Sequence, residues 1–315
     1  MKKTTTVILI ITAVLTACLC GAAIHILNSR TANSEAVRIY LPEGITYDAL
    51  CDSVDATKTF RLMAQALKLD EHVRPGSYII EPHMSQLFLV RKLRNGQQDP
   101  IRLTIGKFRL PQQLNEYLNQ KLMHDDFNVT LDSFYIIRPN TYEFYWTVTS
   151  NQFMQRMMRE YERFSKNLTE GNRIRINSDY SVRDIIILAS IVEEETNDNS
   201  EKPLIASVYL NRLKRGMPLQ ADPTVKYAVG DFTLRRILTK HLAVESPFNT
   251  YLNTGLPPAP ICLPSKASVD AVLNAPETGY IYFCASENLD GTHRFATTLA
   301  EHNRNAARYH KAISK

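Results

Sequence analysis

Paired cysteine is missing from this chain. Of its five cysteines, Cys18 and Cys20 fall inside an apolar stretch, leaving Cys51, Cys262 and Cys284, an odd number at wide spacing. That excludes a disulfide framework. No pair has metal-ligand spacing either, so the thiols read as buried and free and hold no metal; no cofactor is expected. A dense basic tract is also lacking. Lys and Arg number 37 against 32 Asp and Glu, a net charge of +5, and no nucleic-acid partner is expected on that balance. Internal repeats and low-complexity tracts are absent. With 44% hydrophobic and 22% charged residues the composition is that of a folded protein, and 315 residues are enough for two domains.

What the chain does have is one long apolar run. Lys2 and Lys3 precede an unbroken stretch from Val7 to Leu27 whose strongly polar member is His25. Roughly 20 apolar residues let a helix cross a bilayer core. The positive-inside rule places residues 1–6 in the cytoplasm and the body outside. The expectation is a single-pass anchor at 7–27 followed by a linker at 28–36. A cleaved signal peptide fits the same n-region and apolar core, and Leu15-Thr16-Ala17-Cys18 reads as a lipoprotein box. Because the apolar run continues past Cys18, an uncleaved anchor is the preferred reading.

The fold class expected is α+β. Val37–Leu41 alternates as a strand and Pro42-Glu43-Gly44 turns it. A helical stretch covers about 47–69, and a second strand follows Arg74-Pro75-Gly76. Ser85 is a candidate N-cap for a helix over Gln86–Arg94, and a third strand fits Ile101–Ile105. Residues 37–106 thus read as a small α/β module. Residues 107–315 read as a second, helix-rich α+β domain. There, 111–170 is mainly helical with a break at Arg138-Pro139-Asn140-Thr141-Tyr142, and a longer helix starts at Ser181. Proline-rich loops follow, then a strand pair at 280–284 and 293–297 and a closing helix over Leu299–Ile313.

Three clusters carry candidate chemistry. The first is Ala189-Ser190-Ile191-Val192-Glu193-Glu194-Glu195-Thr196, an apolar helix running into three carboxylates. In a helix Glu195 stacks over 188, 191 and 192 and continues the apolar stripe, whereas Glu193 is rotated roughly 200° away. A carboxyl on that stripe is poorly solvated, and its pKa rises toward the range of a general acid at neutral pH. Three glutamates that simply solvate a helix end remain the plainer alternative. The second cluster, Leu219-Gln220-Ala221-Asp222-Pro223-Thr224-Val225-Lys226-Tyr227, offers groups suited to sugar hydroxyls, although Asp222-Pro223 is equally a turn. The third, Asn249-Thr250-Tyr251 with Thr254-Gly255-Leu256-Pro257-Pro258, reads as a cleft wall or as a rigid surface loop.

These clusters join Arg74-Pro75-Gly76-Ser77-Tyr78, Arg138–Phe144, Asn211-Arg212-Leu213, Tyr280–Phe283, His293-Arg294-Phe295 and Glu301-His302-Asn303. In that order they resemble the endolytic murein transglycosylase family, membrane-anchored lytic transglycosylases of bacteria. The resemblance covers most of residues 74–303. It implies a LysM-like module at 37–106, a catalytic domain at 107–315, and an enzyme that cleaves peptidoglycan glycan strands to 1,6-anhydro-muramyl ends. It also implies Glu195 as the catalytic carboxylate, with Glu193 the second candidate. Gln220, Asp222, Thr224, Tyr227, Asn249, Thr250 and Tyr251 would bind substrate. The setting would be the cytoplasmic (inner) membrane, with cell-wall synthases as candidate partners. Asn140 stands where the family usually has Asp, and Lys107-Phe108-Arg109 replaces a Glu-Gly pair. A lysozyme-like muramidase using Asp222 and a non-catalytic glycan-binding scaffold are the competing readings.

Overall fold

The computed structural model describes residues 2–170, 180–234 and 236–314. The chain divides into two compact units, Met1–Leu103 with Lys121–His124 and Glu143–Val148, and Thr104–Gln120 with Asp125–Tyr142 and Thr149–Lys315. The architecture is mixed α and β, as expected.

The first unit opens with α1 (Lys2–Leu27), whose Val7–Leu27 segment is long and apolar enough to cross a membrane, with a mean hydropathy of 2.7. Ile26 packs on the core of the residues that follow. There is no slack after it: the Thr31 amide donates to Met84 O (2.8 Å), Gln86 N donates to Ser29 O (3.1 Å), and Asn33 Nδ2 donates to Ile80 O (3.0 Å). Next come β1 (Val37–Leu41), α2 (Tyr47–Ser53), α3 (Lys58–Ala66), β2 (Gly76–Ile80), α4 (Gln86–Arg94) and β3 (Ile101–Ile105).

The helical stretch expected over 47–69 is two helices. Thr46 and Thr57 each accept an amide N–H and cap one of them, and Asp55 between them is left-handed at φ 47°. Strands β1 and β2 pair antiparallel from Val37↔Ile80 to Leu41↔Gly76. Their inward residues Ile39, Leu41, Tyr78 and Ile80 close on Leu50, Phe60, Met63, Leu89 and Leu93. Ser85 precedes α4 without a side-chain capping bond.

The remaining elements are α5 (Pro111–Lys121), α6 (Leu131–Phe134), β4 (Asn140–Phe144), α7 (Ser150–Glu170), α8 (Val182–Glu195), α9 (Lys202–Lys214), α10 (Asp222–Val229), α11 (Thr239–Leu242), α12 (Lys266–Leu273), β5 (Tyr282–Ala285), β6 (His293–Ala296) and α13 (Leu299–Ile313). The break expected at 138–142 is strand β4, and β3 pairs with it rather than with β1 or β2. Asn140 is exposed there, and its Oδ1 accepts the Thr141 amide at 2.8 Å, a role an Asp carboxylate fills equally well. Strands β5 and β6 pair antiparallel from Tyr282↔Ala296 to Ala285↔His293.

Helix α8 is the axis of the second unit. Ser181 caps it in a reciprocal pair with Asp184. Every residue from Ile185 to Val192 is buried, against Ile205, Ala206 and Tyr209 of α9 and Val269, Val272 and Leu273 of α12. A helix apolar all round threads a core instead of lying on it. Its polar exception, Ser190, is fully buried and satisfied: Oγ donates to Ile187 O (2.7 Å) and accepts the Ile261 amide (3.0 Å). The glutamates therefore stand where this helix leaves the core.

Candidate active site

The exit of α8 treats its three carboxylates differently. Glu193 Oε2 accepts the hydroxyl protons of Ser265 (2.6 Å) and Ser268 and an Nζ proton of Lys202 (3.2 Å). Burial by itself would raise its pKa. The two serine hydroxyls and the Lys202 charge outweigh that and hold it below the usual carboxylate range. Glu194 is paired with Arg109 and Lys107. Burial again works upward, and those two cations hold it low. Both are held toward the ionised form.

Glu195 forms no ion pair among the described residues. Its Oε1 accepts the hydroxyl proton of Tyr209, itself 1% exposed on α9. Burial pushes the Glu195 carboxyl up to about 7; the Tyr209 hydrogen bond and Lys226 pull it down, while Asp222 and Glu194 add to the rise. It is the member of the triplet poised to hold and release a proton near neutral pH.

Glu195 opens onto a cleft of about 410 Å³. One wall is Tyr209, Arg212, Leu219, Gln220, Asp222 and Tyr251, and the other comes from β5, β6 and α13. Asp222 begins α10, with Pro223 in the first turn, where proline's missing N–H costs nothing. Its Oδ1 accepts the Tyr251 hydroxyl proton at 2.7 Å. Gln220 is left-handed at φ 52°, a strained conformation for a residue with a Cβ, and its amide donates to Thr250 O (3.0 Å). Arg212, 8% exposed, donates to Ile281 O (2.7 Å), Leu219 O (2.8 Å) and Gln220 Oε1 (3.2 Å), fixing the floor.

The structure thus brings Gln220, Asp222 and Tyr251 to the cleft with Glu195. Thr224 and Thr250 are buried beneath it and joined by their hydroxyls at 2.8 Å. Asn249, fully buried, donates to Leu242 O and Val244 O at 2.9 Å each and accepts the Tyr251 amide at 3.0 Å, shaping the loop that presents Tyr251. Tyr227 packs on Phe248, ring centroids 4.6 Å apart, outside the cleft lining.

Among the cleft residues that sequence reasoning did not mark as site residues are Tyr209, Arg212, Tyr282, His293 and His302. Arg212, Tyr282, His293 and His302 lie within segments that carried the family resemblance, which was the available signal. Tyr209 meets Glu195 through the packing of α9 on α8, and no local pattern encodes that. His293 is oriented from behind: Nδ1 lies 2.8 Å from Glu201 Oε2, and its backbone N–H donates to Glu201 Oε1 at 2.8 Å. His302 stacks on Tyr282 at 5.3 Å.

Residues 23–308 match the YceG-like family. An endolytic murein transglycosylase of Bacillus subtilis (strain 168) is 46% identical over 129 residues, which is 41% of this chain and 35% of that protein. One from Streptococcus pneumoniae (serotype 2, strain D39) is 30% identical over 175 residues, 54% of this chain and 31% of its own length. These matches span about a third of the curated relatives. The crystal structure of a yceG-like protein, lmo1499 of Listeria monocytogenes, aligns with a TM-score of 0.52 at 26% identity, covering 86% of this chain and 99% of that one. With the family match taking in all of α8 and every cleft residue, the chain belongs to the YceG-like family.

Proposed function

We propose that this protein is a peptidoglycan lytic transglycosylase in which Glu195 serves as both acid and base. The observation that carries the reading is the isolation of Glu195: of three adjacent glutamates, it is the one in the cleft, without an ion-pair partner among the described residues, and with its carboxyl up to about 7. With Oε1 held by Tyr209, Oε2 is left to exchange the proton. Protonated Glu195 donates to the glycosidic oxygen between N-acetylmuramic acid and N-acetylglucosamine, and the C1–O bond breaks. The carboxylate then takes the proton from the muramic C6 hydroxyl as O6 bonds to C1, closing a 1,6-anhydro ring and restoring the acid. O6 belongs to the same sugar, so proximity replaces an external nucleophile. Gln220, Asp222 and Tyr251 would position the sugar. Thr224, Asn249 and Thr250 would support them from below, and Tyr227 would bind from outside the cleft lining.

The β1-α2-α3-β2 unit would act as a LysM-like module that holds or orients a glycan strand. Helix α1 would be a single-pass inner-membrane anchor, amino terminus inside, with the body in the periplasm or outside. Cutting would then fall on nascent strands near the membrane, beside cell-wall synthases. Asp222 on the same cleft is the observation that favours a muramidase instead, since hydrolases work with two carboxyl groups. Mass spectrometry of muropeptides released from purified sacculi by the full chain in detergent separates the readings. We expect 1,6-anhydro-muramyl ends; reducing ends would make the protein a hydrolase.

The pH profile carries a second expectation. The proton donor must be protonated, so turnover falls as pH rises through about 7. The Tyr209 hydrogen bond lowers that pKa, and Tyr209→Phe removes it. The alkaline limb should then move up by about one unit, the equivalent of a charged hydrogen bond of about 1.5 kcal/mol. A limb that moves down would contradict this geometry.

A further inference from the structure

The role of Lys107 and Arg109 goes beyond pairing. They lie in the segment Lys107-Phe108-Arg109, which stands where the resembled family has Glu-Gly, and this segment meets the last turn of α8. Arg109 forks onto Glu194: Nε donates to both carboxylate oxygens at 3.1 and 3.2 Å, and Nη2 donates to Oε2 at 2.9 Å. Lys107 Nζ lies 2.8 Å from Oε1 and donates to the backbone oxygen of Glu193 at 3.4 Å. The segment is itself fixed, because Phe108 O accepts the Leu263 amide (2.8 Å) and Gln113 Oε1 accepts the amides of Arg109 (3.0 Å) and Leu110 (3.1 Å). Two cations therefore converge on a carboxylate that neighbours Glu195 in the chain and does not line the cleft.

A helix C-terminus carries partial negative charge, and adjacent carboxylates there repel each other. A bare Glu194 would press Glu195 to keep its proton. Two positive charges on that one negative oppose the pressure. We propose that Lys107 and Arg109 are positioning residues for the Glu195 site: they pin the end of α8 through Glu194 and set the field in which Glu195 exchanges its proton. The inference rests on Glu195 being the acid/base. The other groups facing Glu195 are Tyr209 and Arg212 from α9, Asp222 and Lys226 from α10, and Tyr251, with Tyr282, Cys284, His293 and His302 on the opposite wall of the cleft. None of these is altered in the test.

The test uses opposite signs. Lys107→Gln with Arg109→Gln strips the cations that offset burial of Glu194, so the Glu194 carboxyl itself rises; once it ionises, its uncompensated charge should make Glu195 hold its proton to higher pH. Glu194→Gln removes the anion and leaves both cations, so Glu195 should release its proton at lower pH. Carbon-13 carboxyl titration of the full chain in detergent micelles reads this directly, with Glu195 assigned by the resonance lost in Glu195→Gln. We expect the midpoint to move up by about half a unit to one unit in the double variant and down by a similar amount in Glu194→Gln. The alkaline limb of turnover should follow. Midpoints that stay fixed, or that move the same way in both variants as a merely structural clamp predicts, would overturn the proposal. If the double variant unfolds, Lys107→Gln against Glu194→Gln makes the same comparison. Absence of any glycan product from the native chain would instead sink the acid/base reading, and the titration would still decide the field.

Discussion

Glu195→Gln is expected to abolish 1,6-anhydro products while making the protein more stable at alkaline pH. Losing a positioned proton donor costs about 10²–10⁴-fold in rate, and here the same group would also serve as the base. The amide keeps the carboxyl's shape and still accepts the Tyr209 hydrogen bond, so the loss is chemical. The stability gain follows from the raised pKa. The folded state binds the Glu195 proton up to about 7, against 4.5 for an unperturbed glutamate. Between those values the native state holds more protons than the unfolded chain, so native stability falls as pH rises through that window. Above it the full penalty applies, up to about 3 kcal/mol, and a glutamine avoids it. Thermal melts at pH 8 should favour the variant, and melts at pH 4 should show the two proteins alike. A variant that melts lower at pH 8 would mean that Glu195 is not held against ionisation.

Glu193→Ala should do the reverse, destabilising the protein without redirecting its chemistry. Glu193 neutralises Lys202, whose side chain is 5% exposed, and it accepts the hydroxyl of Ser265, the N-cap of α12. Removing one partner of a buried pair leaves an uncompensated charge and costs about 3–5 kcal/mol. For a unit of this size that lowers the melting temperature by about 10 °C. Glu193→Gln retains acceptors for the serines and should cost less. If Glu193→Ala melted like the native protein yet formed no product, Glu193 would be the reacting carboxylate, and the assignment to Glu195 would fail.

These contrasts show where sequence reasoning reaches and where it stops. Alternation set the ends of β1, turn and stop signals set those of α4, and the ranges expected for β3 and α13 match the observed ones. The thiols are free as expected, Cys51 and Cys262 are buried, and Cys284 is only half-buried because it lies on β5 at the cleft. Strand β4 escaped notice because Asn140–Phe144 gains its strand character from pairing with β3, a partner remote in sequence. Helix α10 was obscured because Asp-Pro starts turns and helices alike. Helical phase put Glu195 on the apolar stripe, but α8 is buried on every side over 185–192, so phase alone does not separate it from Glu193. What separates the glutamates is where their cations come from: Lys202 for Glu193, Lys107 and Arg109 for Glu194. Those partners arrive from segments with no common periodicity, so the distinction belongs to the tertiary structure.

The stitching of residues 29–33 onto the strands and helices beside them has a mechanical consequence. A flexible leash lets an attached domain sweep a volume that grows with its length. Here Ile26 is packed and Ser29, Thr31 and Asn33 are bonded, so no leash separates α1 from the rest of the first unit. With α1 in a bilayer, as proposed, the height of this unit above the lipid becomes a standoff fixed by the thickness of the bilayer and the tilt of the helix. The membrane then serves as a ruler.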